Sequence, residues 1–460
     1  MHVSAAEEGV VSAPVVVVGG GVAGLAAAWR LRERGQDVVL LERSSRLGGL
    51  VESERLGGQQ GWVLEHGPDG LLASKPGMRE VLERLGMQSE LVTGGEGKRV
   101  AYVARSEREA LRLDPIPTSL FRFERRAIVE LLRSPLLSWS AKLRLFAEPF
   151  VRHSARADTV ARFVVRRFGR ELAERVFEPM MRGVYGTSIA ELGLQETMPK
   201  LADLERRYGS VGVALLLAPR APAGPGLVSF RGGMQTLVER LAAEVASSVR
   251  LGVEVESIRP ARPGAPTTLY TSEGPVAARE LVLACPAREA RRLLAPLDPA
   301  LGDELAGIRS TDVSVVSLGY ARDDVMHTLD GTGFVVDPAL GRPLVACTWS
   351  SRKWSGRAPD DGVLLRCVVN RGESTPELVQ TASEEVHRFL GITAKPRLVR
   401  ARRRNGALPV YAPGHRERVA EARTRARRFG VELAGNAYDG VGVPDCLSSG
   451  IGAAERVHAA

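Results

Sequence analysis

Three glycines, Gly19, Gly21 and Gly24, stand in the spacing G-x-G-x-x-G, and an acidic residue, Glu42, follows in the same region of the chain. That combination suits a dinucleotide, because such a site needs a carboxylate for the ribose about 20 residues beyond its glycines. Gly19 permits a tight turn, Gly21 lets the backbone approach a pyrophosphate, and Gly24 lets a helix pack closely on the strand before it. Downstream, Arg46, Gly48 and Gly49 form a second glycine turn with a cation beside it, and "LEHGPDG" carries Gly67, Pro68 and Asp69.

These glycines can act only between a strand and a helix. The β-branched run Val15–Val18 reads as a strand buried on both faces, residues 23–34 as a helix, and residues 37–41 as a second strand leading to Glu42. The helix start, around Gly20, Val22 and Ala23, offers unpaired N–H groups and a positive dipole end to an anion. No charged residue occurs from 9 to 29, which raises the alternative of a membrane span. Glu7 and Glu8 precede the run without any Lys or Arg, and this argues against a secretory signal or anchor.

With 460 residues and 44% hydrophobic composition, the chain can bury a large core and divide into two or three domains. Cys285, Cys347, Cys367 and Cys446 are far apart and form no C-x-x-C, so they read as buried free thiols in a reducing compartment, with no metal site. The formal charge of +9 comes from basic residues scattered among acids, without the aromatic-laced patch of a single-strand binder. Nucleic acid is therefore not an expected partner. Residues 91–185 read as mostly helical, and their Arg, Trp and Phe fit either packing onto the protein or peripheral contact with a membrane surface.

Residues 218–226, "APRAPAGPG", are the most loop-like segment. Strand, turn and helix signals then return, followed by "VRLGVEVESI" and "ELVLACP", which suggest re-entry into the nucleotide-binding unit. From 311 to 399 several short runs alternate apolar and polar residues, as in an antiparallel sheet with one buried face. The last stretch reads as a strand, a turn with Gly435, Val441, Gly442 and Val443, and a helix opening near Asp445.

The segment "RSSRLGG" resembles the motif after the second strand in the flavoprotein family of monoamine oxidases, phytoene desaturases and protoporphyrinogen oxidases, and so implies FAD. "MRGVYGTSIAELGLQETMPKLADLERRYGS", "SFRGGMQTL", "LVACTWSSRKWSGRAP", "ALPVYAPGHRERV" and "LAGNAYDGVGVPDC" are similar, in order and spacing, to the protoporphyrinogen oxidase family, which includes a bacterial branch acting on coproporphyrinogen III. The resemblance implies an α/β fold: a Rossmann-like FAD-binding domain at 1–74, 226–295 and 405–460, an α+β substrate domain at 75–90, 186–225 and 296–404, and a helical, membrane-contacting subdomain at 91–185. It also implies a six-electron oxidation of a porphyrinogen by O2, giving hydrogen peroxide, with protoporphyrinogen IX favoured slightly over coproporphyrinogen III. A cytoplasmic enzyme follows, with the inner face of the membrane and a homodimer as further associations. Two other readings stand beside it: an amine oxidase or carotenoid desaturase, opposed by "GVYG", "YGS" and "PDC", and a flavin-binding scaffold without turnover.

Carried over by position, the resemblance places FAD on Gly19, Gly20, Gly21, Val22, Ala23, Gly24, Glu42, Arg46, Gly48, Gly49, Leu50, Gly67, Pro68, Val255, Gly435, Val441, Gly442 and Val443, with Val255 at the adenine. Asp69 stands at the junction of flavin and substrate, where its carboxylate would accept hydrogen bonds from pyrrole N–H groups; the competing reading is a turn-stabilising aspartate. Gly183 brings a backbone carbonyl near the tetrapyrrole, Arg99 anchors a propionate, Lys75 adds a cation for further propionates, and Phe334 either stacks on a pyrrole ring or packs in the core. Two departures stand out. Arg404 lies near the place where many relatives have a tryptophan, and Pro409, Val410 and Tyr411 replace the usual Pro-Gln-Tyr.

Overall fold

The computed structural model describes residues 13–58, 61–94, 100–107, 110–121, 124–152, 158–217, 226–262 and 266–457. The chain opens with β1 (Val15–Val18), α1 (Val22–Glu33) and β2 (Val38–Glu42). All four valines of β1 are buried, since the strand lies mid-sheet with helices against it. A hairpin, β3 (Ser53–Leu56) and β4 (Trp62–Glu65), carries the chain away, and the short β5 (Leu71–Leu72) and β6 (Leu91–Thr93) follow.

Next come β7 (Ala101–Glu107) and β8 (Ala110–Pro115), an antiparallel pair. Residues 91–93, 101–107 and 110–115 thus depart from the helical reading. Charged residues interleave with Val103, Leu111 and Leu113, and the buried Arg105–Asp114 ion pair between these strands hides a period-two pattern that a composition-based reading takes for helix. Helices then dominate: α2 (Arg126–Arg133), α3 (Trp139–Phe146), α4 (Val160–Phe168), α5 (Glu178–Tyr185) and α6 (Val211–Leu217). Leu201, Val211 and Ala214 share one core with Phe163 and Phe177, so the helical unit continues past residue 185.

The return path is β9 (Leu227–Phe230), β10 (Val249–Leu251), the ribbon β11 (Val255–Arg259), β12 (Thr267–Thr271) and β13 (Gly274–Ala278), and β14 (Leu281–Leu283). A turn at Gly252, φ +75°, splits "VRLGVEVESI" into two strands of different sheets. A third sheet is built from β15 (Ser310–Ala321), β16 (Gly333–Val336), β17 (Leu344–Trp349), a single turn of helix α7 (Ser350–Lys353), β18 (Gly362–Val369), α8 (Thr375–Leu390) and β19 (Leu398–Pro409). The chain closes with β20 (Val431–Leu433) and α9 (Val443–Arg456).

The first sheet is parallel, in the order β10-β2-β1-β14-β20. The large sheet runs β19-β15-β18-β17-β16-β7-β8, antiparallel except where β16 meets β7. Leu378, Ala382 and Val386 of α8 cover one of its faces, and α5 approaches the other. The segment 65–72 lies between the loop after β2 and the large sheet, in contact with Leu50 on one side and with Arg366, Lys353 and Trp354 on the other.

Candidate active site

The glycine turn lies at the carboxyl ends of β1, β2, β14 and β20, the edge where open α/β sheets bind ligands. Gly19 has φ +107°, and a Cβ there would come 2.6 Å from the Ala284 carbonyl oxygen. A Cβ on Gly24 would lie 1.8 Å from the Gly19 oxygen, so α1 can start where it does only without a side chain. At Gly21 a Cβ would meet nothing within 4 Å, which leaves the open side of the turn and the N-terminus of α1 facing the cleft. The Gly20 N–H donates to Glu42 Oε2 at 2.6 Å, and Ser44 donates to Oε1 through both N–H and Oγ at 2.8 Å. Glu42 thus fastens the turn as well as ending β2.

The second glycine turn docks on the first. Gly48 N–H donates to the Gly20 carbonyl at 2.8 Å, and a Cβ on Gly49 would sit 3.2 Å from Gly21 Cα. Arg46 reaches inward, donating to the carbonyls of Leu47, Gly49 and Val51 and pairing with Glu52 at 3.5 Å. It buckles its own loop, which differs from a free cation waiting beside a phosphate. A Cβ on Gly67 would strike the Leu50 oxygen at 1.9 Å, so Gly67 and Pro68 lie directly against this loop. Val255 is buried with Val18 and Leu41 beside the ends of β1 and β2. Gly435, at φ +124°, donates to Ser449 Oγ at 2.9 Å, while Gly442 caps α9 between Val441 and Val443. The open glycine face and the N-terminus of α1, at the carboxyl ends of the parallel strands, suit a dinucleotide.

Past Pro68 the construction changes from backbone to side chain. Lys353 Nζ, on α7, donates to both oxygens of Asp69 at 3.0 and 2.8 Å, and the buried Trp354 indole donates to Oδ2 at 3.4 Å. Burial pushes the Asp69 carboxyl up, but Lys353, Arg366 and the indole outweigh it and hold it at about 2. Arg366 on β18 donates to the carbonyls of Glu65 at 3.1 Å and Gly67 at 2.6 Å. Beneath, Ser229 Oγ donates to the Asp69 carbonyl at 2.9 Å and accepts from Arg357 at 2.6 Å. Arg357 and Glu65 form a fully buried pair at 3.3 Å, with Ser53 Oγ and the Met234 N–H also donating to Glu65. Burial raises the Glu65 carboxyl to about 7 against the pull of Arg357 and those donors.

The remaining expected residues fall in different places. Gly183 is on α5, where a Cβ would lie 3.1 Å from Val335 Cγ1, so the helix backbone approaches the large sheet there. Phe334 is buried on the opposite face, between Trp349 and Phe389 of α8 at ring distances of 6.5 and 5.2 Å. Core packing is therefore its role, and the side chain directed toward α5 is Val335; alternation along β16 decides this. Lys75 is paired with Asp445 near the start of α9 at 2.9 Å, so its charge is already matched. Arg99 lies outside the described residues. Arg404 and Arg402 both pair with Glu52, beside Arg46, which puts three guanidinium groups around one carboxylate at the end of the second glycine turn.

Lys353, Trp354, Arg357, Arg366 and Glu65 were not among the residues marked from sequence. "SRKWSGRAP" offered a signal, a dense set of cations around a tryptophan, but nothing in it says which acid they meet. Among the described residues no group of three or more His, Cys, Asp or Glu is placed to hold a metal ion, and no helix is long and apolar enough to cross a membrane.

Comparison with known proteins gives the site a context. A family model described as flavin containing amine oxidoreductase matches residues 22–458. A Propionibacterium freudenreichii subsp. freudenreichii protein named coproporphyrinogen III oxidase is 30% identical over 96% of this chain and 90% of its own. One of the same name from Bacillus subtilis (strain 168) is 28% identical over 95% and 96%. A solved protein of Exiguobacterium sp. 255-15, provisionally called a protoporphyrinogen oxidase, superposes with a TM-score of 0.84 at 28% identity, covering 96% of this chain and 98% of that one.

Proposed function

Because the chain belongs to the flavin-containing amine oxidoreductase family, and is thereby a flavin-dependent oxidoreductase, we propose that it holds FAD and oxidises a porphyrinogen to the porphyrin with O2 as acceptor. The single observation carrying the substrate reading is the Asp69 carboxylate, held ionised by Lys353 immediately after the Gly67–Pro68 peptide that lies against the cofactor loop. FAD would supply the hydride acceptor and pass the electrons to oxygen, three rounds giving the planar product.

The protein binds, orients and balances charge. The turns at Gly19–Gly24 and Gly48–Gly49 and the start of α9 receive the cofactor, while Arg366 holds the carbonyls of Glu65 and Gly67 and so fixes the peptide it rests on. A carboxylate offers about four acceptor positions. Lys353 and Trp354 take three contacts at Asp69, leaving room on Oδ1 for one pyrrole N–H rather than several. Its negative charge opposes the positive charge that develops on the tetrapyrrole as hydride leaves.

Coproporphyrinogen III takes precedence here over the protoporphyrinogen IX preferred on sequence alone, since two relatives at 28–30% identity bear its name. Protoporphyrinogen IX is the second reading, supported by the name of the Exiguobacterium structure. The test is the visible spectrum of the purified protein followed by parallel porphyrin-fluorescence assays with both porphyrinogens under air. A flavin spectrum and a faster rate on coproporphyrinogen III are expected; flavin with no rate on either substrate rejects the reading.

The same proposal includes peripheral contact with an anionic bilayer at the inner face of the cytoplasmic membrane. None of the residues of α3 is buried. Trp139, Leu143, Phe146 and Phe150 form one stripe, exposed by 80%, 68%, 61% and 88%, and Lys142 Nζ lies 4.9 Å from the Trp139 ring. An apolar stripe flanked by cations is the form an interfacial helix takes. Flotation with anionic vesicles should carry the wild type and leave a W139S/F150S variant behind; equal flotation of both removes this assignment.

A further inference from the structure

We propose that Lys353 is a positioning residue for the reaction, acting on substrate only through the Asp69 carboxylate that it clasps. The inference rests on the porphyrinogen reading for its kinetic consequence and on geometry alone for the clasp.

Lys353 ends a single helical turn held between two fully buried tryptophans, Trp349 and Trp354. Gly70 lets the Trp354 ring come close, since a Cβ there would lie 2.8 Å from its Cζ2. The ammonium group sits 5.2 Å from the center of that ring and bridges both oxygens of Asp69. The Asp69 main chain is fastened as well, through Ser229 and Arg357. Backbone and side chain of Asp69 are thus fixed by different partners.

The other charges around Asp69 have other duties. Arg366 on β18 serves the carbonyls of Glu65 and Gly67, and Arg357 serves Glu65, Ser229 and the Arg231 carbonyl. Glu65 on β4 is a like charge and opposes ionisation of Asp69 when it is itself ionised. Among the described residues Lys353 is the cation in direct contact with the carboxylate. Without it, burial and Glu65 act against Arg366 and one indole. Asp69 then takes up a proton at higher pH and becomes a donor where an acceptor is needed.

The experiment compares wild type, K353M, K353R, D69N and D69N/K353M as FAD-loaded proteins in two assays between pH 3 and 8: kcat/KM for the porphyrinogen, and the flavin absorption band without substrate. K353M should bring an acid limb of kcat/KM into this window, about 1–3 pH units above the wild-type limb that Asp69 places near pH 2, the usual effect of an opposite charge at this distance. K353R should restore the wild-type limb. The flavin band should show a matching transition in K353M that is missing in D69N/K353M. A uniform loss of rate at every pH in K353M, with no displaced limb and no new flavin transition, overturns the proposal and makes Lys353 a structural cation. If the wild type turns over neither porphyrinogen, the substrate reading fails and the flavin titration alone decides the clasp. Should K353M fail to load FAD, K353Q takes its place in both assays.

Discussion

The two ends of the cleft are built on different principles. At the Gly19 end the closest contacts are between main chains, made possible by missing Cβ atoms, as at Gly24 against the Gly19 oxygen, and the side chains of Glu42 and Arg46 fasten the turns from their flanks. At the Asp69 end the contacts are made by charged side chains from β4, α7, β18 and the loops after them, with the Ser229 hydroxyl of β9, brought together from distant parts of the chain. A steric site fails when volume is added and is indifferent to pH. An electrostatic site tolerates small shape changes and fails when one member of a pair is removed.

The sharpest way to break this contrast is Arg357→Met, which strands Glu65 in a fully buried position. Losing one partner of a buried pair costs about 3–5 kcal/mol, measured by urea unfolding of the flavin-loaded protein. A cost under about 1 kcal/mol, the level of an exposed pair, would show that the Asp69 end does not depend on its charges.

Glu65 sets a pH dependence that the glycine end should lack. Its folded-state value is raised from 4.5 to about 7, so the fold favours the protonated form. The corresponding stability is present in full below pH 4.5 and is lost as pH rises to 7. The stability of wild type relative to E65Q should therefore fall across that window, by up to about 3 kcal/mol at about 1.4 kcal/mol per pH unit, and stay flat above it. Paired denaturation curves from pH 4.5 to 8 check the sign; a difference that grows with pH contradicts it.

Gly24→Ala tests the steric end. Overpacking of this kind costs about 1–3 kcal/mol, so flavin binding should weaken about 10- to 100-fold, equally at pH 5 and pH 8. Flavin content after dialysis at the two pH values makes the comparison. The smallest effect belongs to Lys75→Met. Its side chain is 43% exposed and paired with Asp445, so about 0–1 kcal/mol is expected, with less than about a fivefold change in KM for coproporphyrinogen III. A rise well beyond that would return Lys75 to the substrate.

Much of the glycine end was legible because its logic is local. Val15–Val18, the helix after it and the acid at the end of β2 follow from neighbours within a few turns of chain, and the helix starts one residue from the expected place, at Val22. The hairpin of β7 and β8 was not legible, since its interleaved charges are reconciled by an Arg105–Asp114 pair inside the sheet. Phe334 and Val335 show the same limit at one residue's resolution. Both are apolar, both faces of β16 are covered, and the choice between them depends on whether α8 or α5 lies on a given side.

The sequence by itself determined where main chains must touch, because a glycine's permissiveness is a property of that residue and its spacing. Tertiary structure decided which charges meet. Lys353 finds Asp69 across 284 positions, and Arg357 finds Glu65 beneath it. The physical reason is that an ion pair's energy depends on the distance and burial of its partner, and neither is defined until the sheets and helices have packed.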